Sequence, residues 1–161
     1  MRRISEQSLG NVALHYLRRY SATRKGLTQV LSRRVKRHAR LKKIEAPADA
    51  AAMIDRVVER MVKSGYVDDR RLAENKHASL RRQGKSVRAI RLKLRVKGVP
   101  AELIAETTRS TVEDELEAAS TLVRKKKLGT RPERRQKDLG VLVRAGFSYD
   151  VAKRSLAAAV S

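Results

Sequence analysis

Apolar residues recur at helical spacing along almost the whole chain. The clearest stretch is Ile54, Val57, Val58, Met61 and Val62, which fall at i, i+3, i+4, i+7 and i+8 and form one stripe on a helix. The same period predicts eight more helices. Leu14 and Leu17 mark the first, over residues 11–20, after a polar and loose start over residues 1–8. Leu27, Val30, Leu31 and Val35 mark the second, with Ser21 or Thr23 as its cap. The third carries the stripe at 54–62; Pro47 and Asp49 open it and Ser64 and Gly65 close it. Leu72, Ala73 and Leu80 mark a fourth over 69–83, and Val87, Ile90 and Leu94 a fifth over 85–97. Pro100 suits the first turn of a sixth, which runs through Leu103 and Ile104. A seventh covers 110–127, acidic at its start and basic at its end as the helix dipole favours, and Gly129 stops it. Leu139 and Leu142 carry an eighth over 132–145, closed by Gly146, and Val151, Ala152 and Leu156 a ninth after Ser148. No segment alternates with period two for long enough to be a strand. The expected class is all-α.

The breaks between helices repeat. Leu94 followed by Gly98, Val99 and Pro100 parallels Leu142 followed by Gly146, Phe147 and Ser148, with the two glycines 48 residues apart. Upstream, Leu80, Arg81 and Arg82 parallel Leu17, Arg18 and Arg19. Nine helices therefore divide into three tandem three-helix units, over 8–64, 65–110 and 111–161, the first lengthened by an insertion around residues 37–52. Each helix-turn-helix-like unit buries little surface alone, so stacked units sharing a core predict an elongated, curved arrangement.

Charge then narrows the partner. The chain has 161 residues with 39 Lys+Arg against 17 Asp+Glu, a formal charge of +22. Such an excess favours a polyanion, either nucleic acid or an acidic protein surface. Residues 81–97 hold eight basic side chains and no acid, and residues 18–43 hold eleven and no acid. In the fifth helix Arg88, Arg91 and Arg95 share a face, while Leu92 and Val96 make a small second apolar strip, suited to a helix between two neighbours. The candidate interface is Arg81, Arg82, Lys85, Arg88, Arg91 and Arg95, followed by Arg124, Lys125, Lys126, Arg131, Arg134 and Arg135. Aromatic content of 3% argues against binding single strands by base stacking. There is no cysteine, no apolar run near the ~20 residues that span a bilayer, and no apolar leader region after Arg2 and Arg3. A cytoplasmic protein, monomeric and away from membranes, is expected.

Catalytic chemistry finds no support. Gly84, Lys85 and Ser86 look like the end of a phosphate-binding loop, but Ser79 stands where that loop needs glycine, and the site lies between two helices. His15, His38 and His77 are scattered and lack the partners a metal site needs. Asp68 and Asp69 read as a helix cap, and the acids from Glu113 to Glu117 as helix-start electrostatics. No enzyme, cofactor or metal is expected.

These residues resemble a known family. Gly65, Tyr66, Val67, Asp68, Asp69, Leu72, Ala73 and Glu74 resemble the central motif of the bacterial regulatory protein RecX family. So do Arg82, Gly84, Arg88, Ile90, Leu94, Lys97, Gly98 and Val99, and the late Leu142, Gly146, Phe147, Ser148, Tyr149 and Val151. Leu72 stands where that family usually has an aromatic residue, Arg24, Lys25 and Gly26 replace an early acidic position, and the basic run over 33–43 is heavier than usual. The resemblance implies three tandem three-helix repeats that bind the RecA recombinase filament on single-stranded DNA. It further implies inhibition of ATP hydrolysis, strand exchange and the coprotease role in the SOS response. The alternative is a sequence-independent DNA- or RNA-binding module acting through single- or double-strand phosphates.

Overall fold

The computed structural model describes residues 4–159. Arg2 and Arg3, and residues 160–161 at the end of the third expected unit, lie outside that range. Among the described residues every regular element is helical: α1 (Glu6–Leu17), α2 (Arg24–Lys42), α3 (Ala50–Lys63), α4 (Asp69–Arg82), α5 (Val87–Val96), α6 (Ala101–Thr107), α7 (Val112–Lys126), α8 (Arg135–Arg144) and α9 (Tyr149–Ala158). A single 3-10 turn, Pro132–Arg134, leads into α8. The expected all-α class is what the chain adopts. Two compact units organise these helices. The first gathers the residues up to Leu72 together with Lys97–Val99; the second gathers Ala73–Val96 and the residues from Pro100 onward.

The first unit is built on α3, which packs against both α1 and α2. Its stripe buries Met53, Ile54, Val57, Val58 and Met61, against Leu9 and Ala13 of α1 and Leu27, Leu31 and Val35 of α2. Burying each of the larger side chains contributes about 1.5–3 kcal/mol. α1 begins at Glu6, earlier than the polar sequence suggests, because Ser5 and Ser8 form a reciprocal capping box and Leu9 is buried one turn later. Leu14 and Leu17, expected to face inward, are only half-buried. α2 runs on to Lys42, so the basic run read as an insertion is its distal half; Lys43 ends it in the left-handed conformation (φ 52°).

The second unit joins α7 to α8 and α9 around Leu122, Val123, Leu139, Leu142, Phe147, Val151 and Leu156. Ala118, Ala119 and Ala152 are also buried, and such small side chains let α7 and α9 pack closely. α5 and α6 pair beside this core, with Ile90, Leu94 and Ile104 buried. Thr111 and Asp114 form the capping box that starts α7, so part of its acidic opening is a cap in fact.

Candidate partner-binding surface

What positions α5, the most basic short helix of the second unit, is a set of internal bonds at its first turn. Gly84 has φ +75°, and a Cβ there would stand 2.9 Å from both Ala118 O and Leu122 N. Only glycine lets the α4–α5 turn lie this close to the α7 backbone. Ser86 is buried; its hydroxyl accepts from Ala89 N (3.2 Å) and donates to Ala145 O (2.7 Å). Glu115 on α7 accepts from Val87 N (3.0 Å) and from the Arg81 guanidinium (2.5 Å). Arg81 also donates to Ser110 Oγ (2.9 Å) and Lys85 O (3.2 Å). The side chains of Arg81 and Glu115 are only 16% and 15% exposed. Arg81 is therefore occupied inside the unit, where it fixes α5 rather than facing outward.

The first unit starts α2 in the same way. Thr23, also buried, accepts from Gly26 N (2.9 Å) and donates to Lys97 O (2.6 Å). Asp69 Oδ1 accepts from Arg24 N (2.8 Å), the part that Glu115 plays for α5. The two aspartates expected to cap α4 divide their labour: Asp68 Oδ1 accepts from Arg71 N (2.9 Å) within α4, and Asp69 serves α2. Sequence reasoning missed Glu115 because nothing local to it points at a helix start 28 residues away. Ser86 carried a readable signal, a hydroxyl just ahead of an apolar-periodic run.

The remaining expected cations fall into three settings. On α5, Arg88 and Arg95 are exposed and form no ion pair among the described residues. Alongside them on the helix lie Leu92 and Val96, which are 59% and 81% exposed. The expectation that these two meet a second neighbour is not met; they are left open to solvent. Arg91 donates from Nε to Thr108 Oγ1 (2.8 Å) and from its other nitrogen to Thr108 O (3.1 Å), closing the end of α6. Arg82 is exposed beside a cleft of about 410 Å³ lined by His77, Arg81, Arg109, Asp114 and Glu117, and Lys85 is half-buried. Burial and then Arg81 hold the His77 pKa below its ordinary value, with Asp114 opposing.

The late cluster is partly brought together. Arg124, Lys125 and Lys126 are exposed on the last turn of α7. Lys126, Arg131 and Arg134 meet with Lys127 around a cleft of about 260 Å³, whose wall includes the buried Asp138. Asp138 Oδ2 accepts from Gly129 N (2.8 Å) and so shapes the loop that carries Arg131. Arg135 lines a different cleft, of about 310 Å³, with Glu133, Tyr149 and Lys153. No cluster of three or more metal-ligating side chains exists among the described residues, and no helix there is long and apolar enough to cross a membrane.

Comparison with known proteins bears on the family and the fold. Residues 68–107 match the family model for the second three-helix domain of RecX. The chain is 42% identical over 162 residues to the regulatory protein RecX of Myxococcus xanthus (strain DK1622), covering 95% of this chain and 86% of that one. It is 34% identical over 122 residues to the regulatory protein RecX of Trichlorobacter lovleyi, covering 70% of this chain and 79% of that one. Its fold is similar to the crystal structure of RecX from Lactobacillus salivarius, with a TM-score of 0.68 at 19% identity and 96% of each chain covered. A second crystal structure, of a regulatory protein RecX, gives a TM-score of 0.66 at 24% identity over 92% of this chain and 70% of that one. With both the α4–α6 motif and nearly the whole length matched, the chain belongs to the RecX family of regulatory proteins.

Proposed function

We propose that this protein binds the RecA recombinase filament on single-stranded DNA and inhibits its ATP hydrolysis, strand exchange and coprotease activity. It thereby modulates recombination, repair and the SOS response. It acts without catalysis, as a cytoplasmic monomer of three helical triplets over 8–64, 65–110 and 111–161. The observation that carries this reading is the outer face of α5. Arg88 and Arg95 run alongside the exposed Leu92 and Val96, and a face that mixes arginine with bare aliphatic carbon suits an acidic protein surface better than a phosphate backbone. Arg82 and the cations at the end of α7 extend the positive potential that brings such a partner in.

The second reading, a module that binds DNA or RNA through phosphates alone, draws on the cleft of Lys126, Arg131 and Arg134. Salt separates the two, because phosphate binding falls steeply as salt rises. At a salt level where the protein no longer binds bare DNA, it is added to a recombinase–DNA filament hydrolysing ATP. The rate is expected to fall. An unchanged rate leaves the phosphate-binding module as the better account.

A further inference from the structure

The distal half of α2 takes no part in the surface described above. The core stripe of this helix is Leu27, Leu31 and Val35, and no residue beyond Val35 in α2 is buried. Lys42 lies two turns past Val35 on the same side of the helix, yet it is exposed. The helix has outrun its core: α2 has 19 residues, where α1 has 12 and α3 has 14. On the side opposite the core stripe, Arg33, Lys36, Arg37 and Arg40 fall at i, i+3, i+4 and i+7 and all reach solvent. Arg34 flanks them, and residues 33–43 contain no acid. None of these cations forms a salt bridge among the described residues. Four cations at helical-neighbour spacing repel one another, and no acidic side chain among the described residues pairs with them.

We infer that this stripe is a docking surface for the phosphate backbone of B-form duplex DNA, separate from the recombinase-facing surface of α5. Three features choose the occupant. The centre line of the stripe is four cations, and Leu41, 68% exposed, is the bare aliphatic group at its edge, so charge dominates the face more than it does on α5. It carries no aromatic platform, which a single strand would need for stacking. Its width fits: a helix with its side chains is about 10–12 Å across, against a B-form major groove about 12 Å wide. A helix laid there meets phosphates on both walls. The deep, narrow major groove of an RNA duplex does not admit it.

The test is the salt dependence of binding to a short labelled DNA duplex, measured by fluorescence anisotropy with the full chain and no recombinase present. Because recombinase is absent, the outcome is independent of the function proposed above. The variant Arg33→Gln/Lys36→Gln/Arg37→Gln/Arg40→Gln is expected to bind at least about 100-fold more weakly at moderate salt. The slope of log K against log salt is expected to shrink by about 3 to 4, at ~0.9 for each phosphate no longer neutralised. Arg37→Gln alone is expected to reduce the slope by about one, and keeps the test available should the fourfold variant lose helical circular dichroism. The reference variant Arg88→Gln/Arg95→Gln should leave most of the slope in place. An unchanged slope in the α2 variants overturns the inference. So does equal competition by single-stranded DNA, an RNA duplex or polyglutamate, any of which would reveal a surface that takes any polyanion.

Discussion

α2 and α5 are two basic helices started by the same device and finished differently. Each begins at a buried hydroxyl, Thr23 or Ser86, which caps its own helix and donates to a carbonyl just ahead of a left-handed glycine, Gly98 or Gly146. Each has a carboxylate from a following helix, Asp69 or Glu115, on its first free N–H. Beyond the first turn they diverge. α5 spends Arg91 on its own unit and turns Arg88, Leu92, Arg95 and Val96 outward, whereas α2 extends past its core with four cations on its outer stripe and the exposed Leu41 at the edge. The different partners proposed for the two helices therefore rest on the balance of charge and exposed carbon on each face, not on net charge.

The anchoring also differs in strength. In the second unit Glu115 holds Arg81 as well as Val87 N, and both side chains are largely shielded from water. In the first unit Arg24 pairs instead with Glu59, and that pair is about half exposed. Removing one member of a shielded pair leaves the other unpaired, whereas exposed pairs contribute little. Glu115→Ala is therefore expected to lower unfolding stability by about 3 kcal/mol, and Asp69→Ala by about 1 kcal/mol, in urea denaturation. Equal losses would show that the two anchors are equivalent. Gly146→Ala comes next, at about 1–3 kcal/mol, for its left-handed backbone and for a Cβ that would meet Ser86 Oγ at 2.6 Å. Ser86→Ala and Thr23→Ala should each cost about 1–2 kcal/mol, because each removes a cap and strands a carbonyl.

The smallest expected effect is a pH dependence confined to the second unit. His77 Nε2 is buried without a hydrogen-bond partner, and burial keeps the ring neutral in the fold. The unfolded chain binds a proton near the ordinary value of 6.5, and the folded chain only below it. Stability from this source is thus fully present above that value and is lost as pH falls from it through the lower folded value. His77→Gln should flatten the urea midpoint between about pH 7.5 and pH 5.5 relative to the parent chain. An unchanged profile would assign the acid sensitivity to other groups.

Much of the fold was legible. The apolar period placed all nine described helices, and the α3 stripe is buried as the spacing implies at Ile54, Val57, Val58 and Met61. The limits were physical. α1 starts early because a Ser–Ser box and one leucine outweigh a polar composition, and composition is what the eye reads first. Arg81 and Arg91 looked like their neighbours in sequence, yet one is held by Glu115 and the other by Thr108, partners 34 and 17 residues away. Charge identifies a candidate cation; only the fold shows whether its hydrogen bonds are already spent.

The proposed division of labour puts the recombinase at α5 and duplex DNA at distal α2. The most direct test titrates three proteins against ATP hydrolysis by a recombinase filament on single-stranded DNA: the parent chain, Arg88→Glu/Leu92→Glu/Arg95→Glu, and Arg33→Gln/Lys36→Gln/Arg37→Gln/Arg40→Gln. The α5 variant is expected to need at least about tenfold more protein for the same inhibition, a loss of about 1.4 kcal/mol in binding, with helical circular dichroism intact. The α2 variant is expected to inhibit as the parent does. Full inhibition by the α5 variant, or equal loss in both, would contradict the division.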